Sequence, residues 1–351
     1  MNDFLTRPVE DQIATVTRIA KAALPLWGLD GADLTLIKYR ENGVFRVDAP
    51  SGLRAVLRVH RIDYHSDAEL RSELQWMDAL GCIPLLVPRV RPALDGRLMI
   101  RFSLSDTPEF QIDVLDWLDG VPVGSAGEDA DRPVEEMKQI YLKAGEIAGA
   151  LHNHSQSWQR PEGFVRHAWD RDGLIGPAPF WGEFRSLPAL APHLPLIDAA
   201  IRQAHADLDD LGTSGSVYGL IHADLVPDNL LQVGEGLALI DFDDAGYGYY
   251  LFELATAVYF HFGTDIFEDV LASMIAGYRS VRPIDDQELQ YFDLFLALRG
   301  MTYLGWVSTR SETQTAKEML PLFIELSVAS CKRYLDGRKQ LASGIGGKQP
   351  V

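Results

Sequence analysis

The apolar pattern switches between strand and helix periods along this chain, and the order of those switches limits the possible folds more than any other feature. Between Leu34 and His60 the sequence reads LTLIKY, VFRVDA and LRAVLRVH, three short alternating stretches separated by ENG and PSG. Alternation puts every second side chain on one face, and the separators are turn chemistry, so a three-stranded antiparallel meander is predicted. DAELRSELQWMDAL follows, with Leu70, Leu74, Met77 and Leu80 three and four apart and acidic residues in the first turn, which predicts one helix. PRVRPALDGRLMIRFSL predicts a hairpin around Asp95-Gly96, and FQIDVLDWLDG a last strand running into a connector. Ahead of the meander, Ile13, Val16, Ile19, Ala20 and Ala23 predict an amino-terminal helix that stops near Pro25.

From Pro133 onward the period becomes helical, in VEEMKQIYLKAGEIAGALHNH, in LIDAAIRQAHADLDDL and in the long run after Leu251. Between them VYGLIHADL, NLLQVGE and LALIDFDD form a short β island. The expected class is α+β: a small antiparallel β lobe with one crossing helix, then a mainly helical large lobe. The expected divisions are a lobe over 1–115 including the leading helix, a hinge over 116–120, a helical lobe over 121–340 and a disordered tail over 341–351.

Composition narrows the partners. The 351 residues carry 50 acidic and 32 basic side chains, a formal charge of −18, without a continuous basic stripe. Nucleic acid is excluded as an expected partner, because phosphate contacts need clustered positive charge. Such acidity describes a solvated surface and would draw cationic substrates over anionic ones. Cys82 and Cys331 lie far apart, with no spacing that would hold a metal or a disulfide framework. The amino terminus MNDFLTRPVEDQ lacks a signal-like apolar stretch, and no run approaches the ~18 apolar residues of a membrane span. The reading is a cytoplasmic protein with no membrane partner.

Chemistry concentrates in LIHADLVPDNLL, residues 220–231, and LIDFDDAG, which begins at Leu239. Asp224 and Asn229 sit five apart in a loop between apolar strands, and Asp241 ends the next strand. A carboxylate and an amide oxygen converging from two loops suit magnesium, which takes hard oxygen ligands. A third carboxylate held off the metal can deprotonate a hydroxyl nucleophile. Any one of these residues alone would be read as a turn cap. Together they reproduce the Asp-to-Asn interval and the later Asp of phosphoryl-transfer centres. His222 is assigned a structural role, bonding the loop backbone.

On these motifs the chain resembles the aminoglycoside phosphotransferase and choline kinase family, of the protein-kinase-like superfamily, over residues 34–260. VLRVHRIDYHSDAELRSEL and LHNHSQSW are most similar to the branch with homoserine kinase type II-like enzymes and stress-response kinases. The resemblance implies ATP and Mg2+ as cofactors, Asp224 as catalytic base, and Asn229 and Asp241 as metal ligands, with Asp243 a weaker candidate. It implies that Asn42 and Gly43, in YRENGVFRV, cover the nucleotide. Arg58 stands where the superfamily has a phosphate-binding lysine, and Glu73 resembles its ion-pair partner; a plain strand-to-helix ion pair is the alternative. The Asp116 carbonyl and Leu118 amide would meet the adenine edge, with Leu115 behind it, and Glu253 would anchor backbone. Trp158, Trp169, Phe180 and Trp181 either shape an acceptor pocket or form a satellite core.

The implied activity is transfer of the γ-phosphate of ATP to a hydroxyl of a small molecule, an amino alcohol or a hydroxyamino acid such as homoserine. The alternatives are a serine/threonine protein kinase of the stress-response type and an inactive nucleotide-binding scaffold.

Overall fold

The computed structural model describes residues 3–40, 42–124 and 132–343, so Glu41 of the YRENGVFRV loop and residues 344–351 of the expected tail lie outside the described residues. The chain divides into two compact units, Met1–Gly120 with Arg160–Val165, and Val121–Gln159 with Arg166–Val351.

The first unit contains helix α1 (Val9–Ala23), strands β1 (Asp33–Tyr39), β2 (Gly43–Asp48) and β3 (Arg54–Val59), helix α2 (Asp67–Leu80), and strands β4 (Met99–Phe102) and β5 (Phe110–Asp116). The strands make one antiparallel sheet in the order β1-β2-β3-β5-β4. The meander and both helices are where alternation and helical spacing put them. Val16, Ile19, Ala20 and Ala23 of α1 join a core with Phe45, Val47, Leu57, Val59, Ile112 and Val114. Because side chains alternate along a strand, Arg58 and Asp113, which interrupt that series, point to the opposite face. Helix α2 begins with a complete Ser66/Glu69 capping box.

The hairpin expected around Asp95-Gly96 forms only in part. The turn is present, with Gly96 at φ +85° and the Ala93 N–H bonded to the Arg97 carbonyl at 2.8 Å. Its downstream arm becomes β4, which pairs with β5, while the upstream arm makes only an isolated bridge from Val90 to Leu115. Pro88 and Pro92 flank that bridge and lack the N–H groups a ladder needs.

The second unit contains β6 (Val121–Pro122), α3 (Val134–Ser157), β7 (Ala168–Trp169), α4 (Arg171–Ile175), α5 (Leu194–Leu211), β8 (Tyr218–Ile221), β9 (Leu230–Val233), β10 (Gly236–Leu239) and β11 (Gly246–Tyr249). It closes with α6 (Tyr250–Val258), α7 (Phe267–Val281), α8 (Asp286–Leu289), α9 (Phe292–Ser308) and α10 (Gln314–Ala342). The three pieces read as one β island belong to two sheets, β10-β9-β6 and β7-β11-β8. The extra strands are two residues long or, as GYGY, rich in glycine, and neither leaves an alternating signal. Helices α3 and α7 touch through glycine: a Cβ at Gly277 would lie 1.9 Å from the Leu142 carbonyl oxygen, and one at Gly145 2.1 Å from that of Met274. Among the described residues no helix is long and apolar enough to cross a membrane.

Candidate active site

The loop between β8 and β9 carries His222, Asp224 and Asn229, and three buried side chains fix its backbone. The His222 ring, buried, holds Nε2 3.0 Å from the Ile240 carbonyl, while its Nδ1 accepts the Asp224 N–H at 3.3 Å. Its proton therefore sits on Nε2, which matches the structural role expected from the sequence. Glu253, at the start of α6 and fully buried, accepts the N–H groups of His222 at 2.8 Å and Ala223 at 2.6 Å. Burial alone would raise its pKa, but the nearby His152, with Nε2 3.9 Å from Oε1, and His222 more than offset this, so the carboxyl is held below its ordinary value. Ala223 has φ +64°, a left-handed conformation that costs a residue bearing a Cβ about 1–2 kcal/mol.

The third anchor is Arg299 of α9, which has no exposed surface. Its Nη1 donates to the Ala223 carbonyl at 3.1 Å, and its Nη2 to Asp224 Oδ1 at 2.8 Å and to the Tyr303 hydroxyl at 2.9 Å. The guanidinium carbon lies 4.2 Å from the Tyr303 ring centre, 4.7 Å from Trp181 and 5.6 Å from Phe252. Those faces and acceptors compensate a cation that would otherwise be costly to bury.

Asp224 remains reachable, with its side chain 24% exposed. Its second oxygen accepts from Asn229 Nδ2 at 2.8 Å, and the same nitrogen donates to the Asp224 carbonyl at 2.9 Å. With both amide hydrogens used, the Asn229 side-chain oxygen is the atom left to act as a ligand. Leu230 pairs with Leu239 across the β9–β10 ladder, and the Ile240 N–H donates to the Asn229 carbonyl at 3.0 Å. Asn229 and Asp241 consequently flank the open end of one hairpin. Asp241 is exposed and adopts φ +65°. Asp243 is buried instead, and Arg166 donates to the main-chain carbonyls of Phe242, Asp243 and Ala245. The Trp181 indole donates to Asp244 Oδ1 at 3.0 Å.

The aromatic segment splits. Phe180 and Trp181 both pack on Trp169, at 5.0 and 5.3 Å between ring centres, and Trp181 also faces Arg299. Trp158 stands apart, stacked on His154 at 5.7 Å.

In the first unit, Arg58 and Glu73 meet, Nη1 to Oε1 at 2.8 Å. Arg58 also forks into Asp113, Nε to Oδ1 at 2.8 Å and Nη2 to Oδ2 at 2.7 Å, and His60 Nε2 lies 2.7 Å from Oδ2. Burial would raise the Asp113 pKa, yet the Arg58 guanidinium and His60 hold it well below the usual carboxylate range. Asn42 accepts the Arg61 N–H at 3.1 Å, and Gly43 sits where a Cβ would press on Val16 at 3.2 Å. Leu115 is buried, Asp116 binds Arg91 at 2.6 Å, and the Leu118 carbonyl accepts the Gly120 N–H at 3.1 Å.

Sequence reasoning missed Asp113 and Arg299. Asp113 was available from alternation, standing between the core residues Ile112 and Val114 directly opposite Arg58. Arg299 interrupts a run of buried residues, and a lone charge in such a run calls for a partner.

A phosphotransferase enzyme family model matches residues 35–292. Among solved structures, a microcompartment-associated aminopropanol kinase superposes with a TM-score of 0.79 at 31% identity, covering 92% of this chain and 98% of that one. An amicoumacin kinase in complex with AMP-PNP, Ca2+ and amicoumacin has a TM-score of 0.69 at 20% identity, covering 90% and 92%, a likeness of fold. A homoserine kinase of Neisseria meningitidis is 37% identical over 125 residues, 34% of this chain and 40% of that protein.

Proposed function

The chain belongs to the phosphotransferase enzyme family, whose members here act on small-molecule hydroxyls, and on that premise we propose that it transfers the γ-phosphoryl group of ATP, with Mg2+, to the hydroxyl of a small amino alcohol. The observation that carries this reading is Asp224, partly exposed and held by both oxygens beside the Asn229–Asp241 pair. In the proposed step the Asp224 carboxylate takes the acceptor's proton as its oxygen bonds to the γ-phosphorus and the bond to the ADP oxygen breaks. The donor set of an amide oxygen and a carboxylate at one hairpin end fits a hard divalent cation, and Asn229 and Asp241 would hold Mg2+. When bound, that ion neutralises phosphate charge. Asn42, Gly43, Leu115, Asp116 and Leu118 would serve the nucleotide, with Arg58 toward its phosphates and Glu73 holding Arg58 as its ion-pair partner. A cytoplasmic setting belongs to the same proposal.

Charge supports an amino alcohol over a hydroxyamino acid. Asp224, Asp228 and Asp244 all act electrostatically on Arg299 or Tyr303, while the Arg299 guanidinium is fully enclosed and Arg166 is buried against main-chain carbonyls. A cationic acceptor is favoured there and a free carboxylate is not.

The test is ADP release with Mg2+ and ATP over 1-amino-2-propanol, ethanolamine, choline, homoserine and a generic protein substrate. Turnover led by the amino alcohols is expected; turnover confined to homoserine or protein would overturn the acceptor class. ATP with Mg2+ should stabilise the protein against heat more than ATP with chelator, and equal stabilisation would refute the metal pair.

A further inference from the structure

The reading of Asp224 as base leaves unexplained why a cation with no exposed surface is built into α9, 75 positions downstream in the chain. A buried guanidinium is costly unless its donors are matched, and replacement by an apolar residue of similar volume is often tolerated when the charge has no other task. Here Nε has no hydrogen-bond partner among the described residues, yet both terminal nitrogens reach the loop of the base. Nη1 holds the carbonyl of Ala223, the left-handed residue just before Asp224, and Nη2 holds Asp224 Oδ1. Glu253 holds the N–H of the same Ala223, so the strained peptide is gripped on both sides.

We infer that Arg299 is the positioning residue for the catalytic base: its aromatic-walled guanidinium locks the rotation of the Asp224 carboxylate and keeps one defined oxygen edge for the acceptor hydroxyl. The two carboxylate oxygens have different partners, Arg299 Nη2 on Oδ1 and Asn229 Nδ2 on Oδ2, each at 2.8 Å. Turning the carboxylate about its Cβ–Cγ bond breaks both. The planar fork is needed because one group must reach the Ala223 carbonyl, Asp224 and the Tyr303 hydroxyl together. Tyr303, Trp181 and Phe252 fix the plane of that fork from around it. Arg299 touches neither nucleotide nor acceptor in this scheme; it acts through Asp224.

The test is a double-mutant cycle, using turnover of 1-amino-2-propanol or whichever amino alcohol the ADP-release screen identifies. Arg299→Met should lower kcat about 10²-fold, the cost of a misplaced catalytic group, with the KM for ATP unchanged. Arg299→Lys should recover part of that loss. In an Asp224→Asn background Arg299→Met should cost less than about twofold further, since a residue acting only through the base has nothing left to position. An equal loss in both backgrounds, or an unchanged kcat in Arg299→Met, would overturn the inference. If Arg299→Met gives no thermal stabilisation with MgATP and is therefore unfolded, the cycle is run with Arg299→Lys, and additive losses there would overturn it equally. Asp224→Asn turning over at the wild-type rate would instead refute the base assignment itself, which the same plate of assays reads separately.

Discussion

Glu253→Gln is the perturbation that reads the catalytic loop most directly. The side chain has no exposed surface, and its two oxygens accept the N–H groups of His222 and Ala223 at 2.8 and 2.6 Å. A hydrogen bond to a charged group is worth about 1.5–3 kcal/mol net, so the pair contributes roughly 3–6 kcal/mol. Glutamine keeps one acceptor without its charge and turns an NH2 toward the second backbone N–H, leaving a buried donor unmatched. Removing a buried charge returns part of the loss, and a net destabilisation of about 2–4 kcal/mol is expected. The effect on chemistry should be larger than on nucleotide binding, because the freed peptide carries the left-handed Ala223 next to Asp224. A fall in kcat of about 10²-fold is expected. Since the Glu253 pKa is lowered in the folded protein, its contribution is present above its ordinary value of 4.5 and is lost as pH falls below it; the Gln variant lacks that acid-sensitive component. Urea unfolding at several pH values and steady-state kcat measure both parts. A Gln variant within about 1 kcal/mol of wild type and with kcat within about threefold would refute the anchoring role.

Asp224→Asn should lower kcat by about 10² to 10⁴-fold while leaving MgATP-dependent thermal stabilisation intact; joint loss of both would move Asp224 into the metal shell. Gly277→Ala should destabilise by about 1–3 kcal/mol or more, because the new Cβ would fall 1.9 Å from the Leu142 carbonyl oxygen and α3 and α7 must separate; a neutral urea midpoint would contradict the close approach. His261 is pushed down to about 4 by burial. The unfolded chain then binds the extra proton first, so stability should fall as pH drops from 6.5 toward 4, by on the order of 2 kcal/mol. His261→Gln should flatten that part of the melting temperature against pH, and an unchanged slope would exclude the residue.

Where one side of an element is buried, the sequence announced it. The three-stranded meander, α1 and α2 followed from alternation or helical spacing because each packs a single apolar face. The strands that escaped notice, β6, β7 and β11, are two to four residues long and owe their pairing to the positions of distant segments. The Asp95-Gly96 turn was legible from its own residues, yet the partner of β4 was not, since local chemistry fixes a turn and only tertiary placement chooses between two possible neighbours.

The site divides along the same physical line. Asp224, Asn229 and Asp241 lie within 18 positions on a hairpin and its preceding loop, so their meeting is a matter of short-range geometry that spacing encodes. What holds them is long-range. A base on a loop has no ladder or helix to set its direction, and accuracy has to be imported by side chains from rigid elements. Glu253 reaches in from α6 and Arg299 from α9, each a charged residue within a run of buried neighbours. Nothing in their spacing from Asp224 foretells the contact; the signal is the mismatch between an ionic side chain and its apolar neighbours. Such a charge survives burial only where its partners are fixed in advance. The strained peptide at Ala223 supplies those partners, an N–H for the carboxylate and a carbonyl for the guanidinium, and the same two bonds that compensate the buried charges hold the loop in a conformation it would otherwise leave.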